Sequence, residues 1–361
     1  MNTIRLHSKF QLNGSPYTIN ELKEHVYTLI KEGEPYESSI GDFLLDWFGS
    51  APTIKVSTSG STSSPKTIVI KKEHMVNSAL ATGSFFGLQA GNTALHCLPT
   101  DFIAGKMMLV RAMVLGLRLS CVAPTSTPLV TGKKRYDFAA MVPLQLRNSV
   151  AHLDCIETLI VGGAPISDDL KQEVMQSPTK IFETYGMTET ITHIAIKQVN
   201  HLDNARMDGL KDVFKTVPNV SLATDTRGCL VIKAPKVAEG LLVTNDMVDL
   251  ISQYEFRWLG RYDNVINSGG IKLLPEQIES KLSNLFRHRF FVAGLPDKTL
   301  GKKLVIVVEG KMEIKEVRQL LNTAKGLSKY QIPKTIFVVP EFLETETGKV
   351  RRSKTLELVT P

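Results

Sequence analysis

The stretch "STSGSTSSPK", residues 57–66, is dominated by hydroxyl groups and closes on a proline and a lysine. Seven of its ten residues carry a hydroxyl, a composition typical of a flexible polar linker. However, helix-like spacing over residues 20–50 precedes it and the strand-like "TIVIKK" follows it, so it is a short turn between periodic segments. Its N–H and O–H groups and the ammonium of Lys66 suit a polyphosphate. A solvated loop and a phosphate cradle are both open at this point.

The composition indicates an ordinary globular protein. The chain has 361 residues, 43% of them apolar and 22% charged, which suits about two domains of roughly 150 residues. No segment approaches the ~18 apolar residues of a membrane span, and the first twenty residues lack the apolar core of a signal peptide. The four cysteines are far apart and have no metal-ligand spacing. We therefore expect a cytoplasmic protein with buried thiols and no membrane span.

The net charge of +7 is concentrated near the C-terminus. Residues 263–361 contain 17 of the 43 basic residues and only 11 of the 36 acidic ones. A basic unit suits a nucleic-acid backbone, but it equally suits the phosphates of a nucleotide or a coenzyme. Aromatic residues do not alternate with the basic ones, which argues against nucleic acid.

The rhythm of the chain changes near residue 262. Segments such as "DCIETLIVGGAPIS" and "TKIFETYGMTET" join a short β-rich run to a Gly or Pro turn, as in parallel α/β structure. After "EFRWLGRY" the segments become short strands with tight turns. These features predict a large α/β domain over residues 1–262 and a small α+β domain over residues 263–361.

Three later stretches have residue types suited to nucleotide chemistry. "YGMTET", residues 185–190, offers a stacking ring, close backbone approach, a hydroxyl and a carboxylate for Mg²⁺. "GRYDNVINSGGIKLLPEQIE", residues 260–279, places Arg and Asp beside a double glycine, and "TETGKVRR", residues 345–352, places Lys349 in a polar turn. Taken singly, each also has a structural interpretation: a turn after a buried strand, a hinge with surface charges, and a solvated lysine.

In this order the four stretches resemble the adenylate-forming superfamily of acyl-CoA synthetases and AMP-dependent ligases, whose phosphate loop reads roughly [ST]SG[ST]TGxPK. Within it, "GRYDNVINSGGIKL" and "YGMTETITHIA" are most similar to the o-succinylbenzoate–CoA ligases of menaquinone biosynthesis. The resemblance implies an α/β fold shortened at the N-terminus. It would have a large N-terminal domain of α/β subdomains with a small β-barrel-like part, and a small mobile α+β C-terminal domain that carries the catalytic lysine.

The resemblance also implies roles for individual residues. Joining a carboxylate to the α-phosphate of ATP brings two anions together, so cations and hydrogen-bond donors must offset the charge. Thr188 would contact the α-phosphate, Glu189 would bind Mg²⁺, and Lys349 would bridge the two reacting groups. The residues implied to bind ATP or CoA are Ser59, Gly60, Ser61, Thr62, Lys66, Gly162, Gly163, Ala164, Tyr185, Gly186, Asp246, Arg261 and Lys272. Asp263 would be the hinge, and Ser268, Gly269 and Gly270 would line the thiol tunnel.

The implied reaction is ATP- and CoA-dependent ligation of a carboxylate, with AMP and pyrophosphate as the other products. ATP, Mg²⁺ and coenzyme A are the expected cofactors and co-substrates, the partners are small molecules, and the enzyme is a possible homodimer. Thr192 and His193 either line the acyl pocket or only pack, and Arg111 is either a core residue or the contact of a second carboxylate. The rivals are ligation of another acid, loading of a carrier protein, and a silent nucleotide- or nucleic-acid-binding relative.

Overall fold

The computed structural model describes residues 6–57, 67–129, 134–202, 212–344 and 350–359. The α-helices in these ranges are Ile19–Glu32, Pro35–Phe48, Lys72–Phe86, Ile103–Leu115, Pro143–Ser149, Asp168–Glu173, Pro275–Leu282, Ile314–Asn322 and Arg352–Glu357. Short 3-10 helices lie at Val150–Cys155, Thr188–Thr190, Tyr262–Asn264 and Ser283–Leu285. No helix of the described ranges has the length and apolar character needed to cross a membrane.

The strands of the described ranges, numbered in chain order, form two sheets and a separate hairpin. They are β1 Gln11–Leu12, β2 Ser15–Pro16, β3 Thr53–Ser57, β4 Thr67–Lys71, β5 Thr93–His96, β6 Arg118–Cys121, β7 Tyr136–Met141, β8 Ile156–Val161, β9 Lys180–Gly186, β10 His193–Gln198, β11 Phe214–Thr216, β12 Ser221–Thr224, β13 Cys229–Lys233, β14 Leu241–Ser252, β15 Glu255–Arg261, β16 Ile266–Ser268, β17 Ile271–Leu273, β18 Phe290–Asp297, β19 Gly301–Glu309 and β20 Thr335–Val339.

The first helix shows how local sequence sets an element. Thr18 and Glu21 form a capping box, in which the Thr18 hydroxyl accepts from the Glu21 N–H and the Glu21 carboxylate accepts from the Thr18 N–H. Three apolar residues at helical spacing, Leu22, Val26 and Leu29, are buried in the core. The helix Ile19–Glu32 is thus fixed at its start by its cap and along its length by its apolar face.

The large sheet has 13 strands in the order β12-β13-β14-β15-β11-β10-β9-β8-β7-β5-β6-β1-β2. Neighbouring strands are parallel in the part β9-β8-β7-β5-β6-β1. From β9 the sheet continues through β10, β11, β15, β14, β13 and β12, whose neighbouring strands are antiparallel. Along β7, Phe138 and Ala140 lie in one buried cluster while Ala139 and Met141 lie in another. The parallel strands are therefore covered on both faces, as expected for α/β structure.

A buried ion pair lies where the parallel and antiparallel strands meet. Glu183 of β9 and Lys197 of β10 are cross-strand partners, with Lys197 Nζ 3.0 Å from Glu183 Oε2. Only 7% of the Glu183 side chain and 10% of the Lys197 side chain are exposed. Lys197 Nζ also lies 4.6 Å from the centre of the Phe214 ring. Each buried charge thus has a partner, which a charge inside a protein requires.

The small sheet has five strands and belongs to the C-terminal part of the chain. β17, β16, β19 and β18 follow one another, and β20 pairs parallel to β19. Gly269 and Gly270 have φ of +56° and +82° and join β16 to β17, and positive φ at both positions is what a two-residue hairpin turn of type I′ requires. Along β18, Val292 packs in one cluster, and Phe291 and Ala293 pack in another. The mixed α/β architecture is confirmed, with a large sheet and a smaller one.

The two sheets are joined by contacts through Asp168. This residue begins the helix Asp168–Glu173, and its Oδ2 accepts from Ser280 Oγ at 3.3 Å and from Ser283 Oγ at 3.1 Å. Its Oδ1 accepts from Lys171 Nζ at 2.8 Å. The carboxylate is a polar link between the helix layer of the large sheet and the helix Pro275–Leu282 of the small one.

Candidate active site

The turn at residues 162–164 and the start of "YGMTET" lie side by side. β8 and β9 are adjacent and parallel, so their carboxyl ends meet at one edge of the sheet, the usual position of ligands in such sheets. A Cβ at Gly162 would lie 2.4 Å from Thr184 Oγ1, and that hydroxyl donates to the Val161 carbonyl at 3.1 Å. Only glycine fits here without moving Thr184.

Tyr185 joins this edge to the antiparallel strands. Its hydroxyl donates to Asp246 Oδ2 of β14 at 2.6 Å. Its ring packs edge-on against Phe256 at 5.1 Å between centroids and lies 5.9 Å from Phe214. Burial, together with the negative charge of Asp246, raises the pKa of Tyr185 well above its usual value, so the hydroxyl remains a donor at neutral pH.

Asp246 is the centre of a hydrogen-bonded cluster. The residue is only 8% exposed, and Trp258 Nε1 donates to its Oδ1 at 3.2 Å. Arg261 Nε lies 3.6 Å from the same oxygen, and the Asp246 N–H donates to Thr244 Oγ1 at 3.1 Å. Sequence analysis predicted Asp246 and Arg261 but missed Trp258 and Thr244. The alternation of "EFRWLGR" was the available signal for Trp258, since it places Phe256 and Trp258 on one face of β15.

The residues after Tyr185 form a tightly fixed turn. Thr188–Thr190 is a single 3-10 turn in which Thr190 Oγ1 accepts from the Met187 N–H at 3.0 Å. Ile191 has φ 70° and ψ −63°, and the Thr192 N–H donates to the Thr190 carbonyl at 2.8 Å. This is a γ-turn of the strained kind, unusual for a β-branched residue. The γ-turn reverses the chain directly after Glu189. Thr188 is half-buried and Glu189 is exposed.

Gly186 permits this reversal. A Cβ built on it would lie 1.8 Å from the Thr192 carbonyl oxygen and 2.6 Å from the His193 Cα. Both are backbone atoms fixed by the γ-turn and by the pairing of β9 with β10. The glycine expected at the nucleotide site therefore has a steric role in holding the turn closed.

The described residues suit a magnesium ion held chiefly by substrate. They include no group of three or more His, Cys, Asp or Glu side chains placed to hold a metal. Mg²⁺ commonly takes one or two carboxylates together with phosphate oxygens and waters. Glu189 is an exposed carboxylate beside the half-buried Thr188 hydroxyl, which is the donor set expected for an ion that arrives with a polyphosphate.

The expected hinge and thiol-tunnel residues lie on the connection to the small sheet. Asp263 accepts from Asn245 Nδ2 at 3.2 Å and from Arg261 Nη2 at 3.3 Å, which ties it to the Asp246 cluster. Ser268, Gly269 and Gly270 lie on the β16–β17 hairpin, and Lys272 is exposed on β17. No hydrogen bond of the described residues joins this hairpin to Tyr185 or Asp246.

Several predicted residues fall outside the described ranges. These are the phosphate-loop residues and the predicted catalytic lysine: Ser59, Gly60, Ser61, Thr62, Lys66 and Lys349. Their flanks are described. Ser57 of β3 pairs with Thr67 of β4, and Glu344 forms a bridge with Val350. Both segments therefore begin and end at paired backbone.

Comparison with known proteins identifies the family. Residues 56–242, which contain the 162–164 turn and Tyr185, match the family described as AMP-binding enzyme. The chain belongs to the AMP-binding enzyme family. This confirms the resemblance drawn from the sequence motifs.

Individual relatives agree with this assignment. The chain is 23% identical over 332 residues to a 2-succinylbenzoate–CoA ligase of Bacillus cytotoxicus, covering 84% of this chain and 69% of that protein. The corresponding enzyme of Enterococcus faecalis is 26% identical over 329 residues, covering 82% of this chain and 67% of that protein. A solved acyl-CoA synthetase (AMP-forming)/AMP-acid ligase II-like protein from Dyadobacter fermentans is 34% identical with a TM-score of 0.61, and the match covers 94% of this chain and 98% of that one.

A further solved structure shows the same fold. The o-succinylbenzoate CoA synthetase of Bacillus subtilis, solved with its acyl-adenylate intermediate, has a TM-score of 0.73 at 20% identity. The match covers 95% of this chain and 81% of that one. The AMP-binding fold is thus retained over nearly the whole chain.

Replacing Gly186 with Ala should destabilise the protein more than the same substitution at a glycine whose only special feature is a positive φ. The new methyl group meets the Thr192 carbonyl at 1.8 Å, so we expect the free energy of unfolding to fall by about 3 kcal/mol or more. Gly228→Ala is the matched control, because its φ is +79° but no atom lies within 4 Å of its built Cβ, and it should cost about 1 kcal/mol. Denaturant unfolding measures both, and equal losses would contradict the steric role of Gly186.

Proposed function

We propose that this protein is an ATP- and CoA-dependent acid–thiol ligase that adenylates a carboxylate and transfers the acyl group to coenzyme A. The Tyr185–Asp246 cluster beside the 162–164 turn is the observation that carries the proposal. It offers an aromatic face for adenine, a carboxylate able to accept from both ribose hydroxyls, and Arg261 beside that carboxylate. Residues 162–164 would line the other side of the base, with Gly186 allowing close backbone approach.

The first half-reaction needs positive charge and donors around the α-phosphate, because two anions must meet there. We assign Thr188 to the α-phosphate oxygens, and Ser59, Gly60, Ser61, Thr62 and Lys66 to the departing β- and γ-phosphates. Lys349 would hold the attacking carboxylate against the α-phosphate as a compact point charge. Glu189 would hold Mg²⁺, which offsets negative charge on the phosphates.

The second half-reaction brings the thiol of coenzyme A to the acyl carbon. We propose that residues 1–262 and 263–361 are separate domains and that the smaller one turns about Asp263 between the two steps. The contacts of Asp263 with Asn245 and with Arg261, which lies beside Asp246, support a hinge next to the proposed nucleotide site. Ser268, Gly269 and Gly270 would then approach the thiol with little side-chain bulk, and Lys272 would contact coenzyme A.

The substrate acid is proposed to be o-succinylbenzoate. The similarity to ligases of 2-succinylbenzoate from Bacillus cytotoxicus and Enterococcus faecalis supports this choice. Ligation of another acid, or loading of a carrier protein, would use the same chemistry. A panel of acids and thiol acceptors distinguishes these alternatives from ligation of o-succinylbenzoate to coenzyme A. The four cysteines are free thiols, which supports a reducing cytoplasmic compartment. The homodimer stays a prediction.

Replacing Asp246 with Asn should weaken ATP binding with little change in fold. The amide nitrogen cannot accept a hydrogen bond, so a ribose hydroxyl or Tyr185 loses its acceptor, and we expect KM for ATP to rise about tenfold to a hundredfold. Carboxylate-dependent exchange of labelled pyrophosphate into ATP is the assay. Asp249→Asn is the control, because Asp249 lies exposed on the same strand and pairs with Arg257. An unchanged KM for ATP in Asp246→Asn would contradict the assigned nucleotide site.

Replacing Lys349 with Ala should slow pyrophosphate exchange about a hundredfold, the usual effect of removing one preorganised charge from a reacting centre. Lys354→Ala is the control, since Lys354 is exposed on the helix Arg352–Glu357, and it should exchange at the normal rate. A panel of acids, with coenzyme A and a carrier protein offered as acceptors, then selects the substrate. Absence of exchange with every acid would overturn the enzyme assignment.

Joining Asp168 to Ser283 through cysteines should separate the two half-reactions. Asp168 Oδ2 and Ser283 Oγ are 3.1 Å apart, so a disulfide in the Asp168→Cys/Ser283→Cys variant, verified by loss of its two added free thiols, would hold the small sheet in its present orientation. We expect the oxidised protein to keep one half-reaction and lose overall thioester synthesis, and reduction should restore it. Asp168→Cys alone is the control. Full thioester synthesis by the oxidised double variant would contradict the proposed turn about Asp263.

A further inference from the structure

The turn between β12 and β13 carries an arginine whose side chain reaches beyond its own hairpin. Asp225 fixes this turn, since its Oδ1 accepts from the Arg227 N–H at 2.8 Å and from the Cys229 N–H at 2.9 Å. The Asp225 carboxylate also accepts from Arg227 Nε at 2.8 Å. One edge of the guanidinium is therefore held within the turn, and both of its terminal nitrogens also contact another strand.

The Arg227 guanidinium spans β14 and the residue before the proposed hinge. Its Nη1 donates to Asn245 Oδ1 at 3.0 Å, and its Nη2 donates to the Thr244 carbonyl at 3.1 Å. Its central carbon lies 5.1 Å from the centre of the Tyr262 ring, which is within the range of a cation–π interaction. Tyr262 immediately precedes Asp263. One side chain thus contacts both a strand of the large sheet and the segment about which the small sheet is proposed to turn.

Arg227 decides which end of the Asn245 amide faces Asp263. A guanidinium only donates hydrogen bonds, so the amide atom beside it is the oxygen and the NH₂ group faces the other way. Asn245 Nδ2 accordingly donates to Asp263 Oδ2 at 3.2 Å. With the amide reversed, its oxygen would face the carboxylate with no hydrogen between the two acceptors. Arg227 therefore makes Asn245 a donor to the hinge residue.

The contacts on Asp263 resist one particular rotation of the chain. Its Oδ2 accepts from Asn245 Nδ2 and also from Arg261 Nη2, at 3.3 Å, and both donors belong to the large sheet. The backbone of each residue has two soft rotations, and a turn about the N–Cα bond of Asp263 moves its carboxylate because Cβ lies beyond that bond. Such a turn must break both contacts. The Tyr262 ring under Arg227 holds the preceding residue, which confines the rotation to Asp263.

The exposure of these contacts suits bonds that break and re-form. The side chain of Asp263 is 58% exposed and that of Arg227 is 35% exposed. A partly exposed contact of this kind shifts an equilibrium between two states by about twofold to fivefold. Water replaces the lost partner when the contact opens, whereas opening a buried ion pair leaves a charge without water. The contacts can therefore bias the hinge without locking it.

We infer that Arg227 and Asn245 are positioning residues that hold the hinge in the present orientation of the small sheet. The inference rests on the proposed function, in which the chain turns about Asp263 between the two half-reactions. Arg227 holds the Tyr262 ring and orients the Asn245 amide, and Asn245 holds the Asp263 carboxylate. The half-reaction that this orientation serves is favoured while the contacts are made, and their loss favours the other half-reaction.

A disulfide measures how often the small sheet takes this orientation. In the Asp168→Cys/Ser283→Cys protein, the rate of disulfide formation with oxidised glutathione reports the fraction of molecules in which these two positions meet. Adding Asn245→Asp should lower the rate about twofold to fivefold, because a carboxylate then faces Asp263 in place of a donor.

Arg227 is tested in the same double-cysteine protein. Arg227→Met should lower the rate of disulfide formation by a similar factor, since both the orienting donor and the cation over the Tyr262 ring are lost. Arg227→Lys should recover part of the rate, because an ammonium still donates to Asn245 and still interacts with the ring.

Two matched variants control for the loss of a surface polar group. Asp249→Ala removes an exposed side chain of β14 that pairs with Arg257. Arg118→Met removes an exposed arginine whose Nε donates to the Gly91 carbonyl. Both should form the disulfide at the normal rate.

The two half-reactions supply a readout that a merely structural role would not move. The oxidised double-cysteine protein identifies the half-reaction that the present orientation serves. Without the added cysteines, Asn245→Asp and Arg227→Met should slow that half-reaction about twofold to fivefold relative to the other. The KM for ATP should stay unchanged in Arg227→Met, since this residue is not assigned to the nucleotide.

The outcomes separate this inference from the proposed function. A normal rate of disulfide formation in both Asn245→Asp and Arg227→Met overturns the inference, and so does an equal loss in the two controls. If the double-cysteine protein forms no disulfide, an unchanged ratio of the two half-reactions in both variants overturns it. Absence of pyrophosphate exchange with every acid is instead the failure of the proposed ligase, and the disulfide rates then still decide whether Arg227 and Asn245 hold the hinge.

Discussion

The hydrogen bond from Tyr185 to Asp246 closes the antiparallel half of the large sheet onto its parallel half. Tyr185 belongs to β9 and Asp246 to β14, four strands away in the order β9-β10-β11-β15-β14. In a flat sheet those strands would lie about 19 Å apart, yet the two side chains meet at 2.6 Å. The antiparallel strands must therefore curl strongly around Phe214 and Phe256, which is the barrel-like form that the family resemblance implied. The proposed nucleotide site lies where this curl ends.

Two buried cations, Lys197 and Arg111, have different kinds of partner. Lys197 has Glu183 at 3.0 Å and the Phe214 ring beneath it, so its charge is satisfied within the protein. Among the described residues, the hydrogen-bond partners of Arg111 are two threonine hydroxyl groups and the Met108 thioether. The paired charge ties β9 to β10, whereas the guanidinium of Arg111 is held by hydrogen bonds to neutral hydroxyl groups. The cost of burying a cation is thus offset by an ion pair in one case and by neutral acceptors in the other.

The sequence predicted the structural features that depend on residues close together in the chain. The Gly269–Gly270 turn, the parallel β8–β9 edge and the residues of "YGMTET" follow from local geometry and motif order, and the structure contains the turn and the edge as expected. Trp258 and Thr244 were missed because their role exists only once β14 and β15 pair. Thr82, Arg111 and Thr192 likewise meet through the packing of two helices and a strained turn. Contacts between distant segments depend on the curl of the sheet, which no local pattern encodes.

The turn at Thr188–Thr190 and the γ-turn after it form one fixed backbone segment between Gly186 and His193. The first residue of the 3-10 turn is assigned to the α-phosphate, and the γ-turn that follows places Thr192 on Arg111. Gly186 leaves no space between these parts, since its built Cβ would meet the Thr192 carbonyl. A displacement of Thr192 would therefore move the backbone that holds Thr188 and Glu189. The two residues proposed to contact the α-phosphate and Mg²⁺ thus depend on the packing of Thr192 against Arg111 and Ser78, because one turn carries all three.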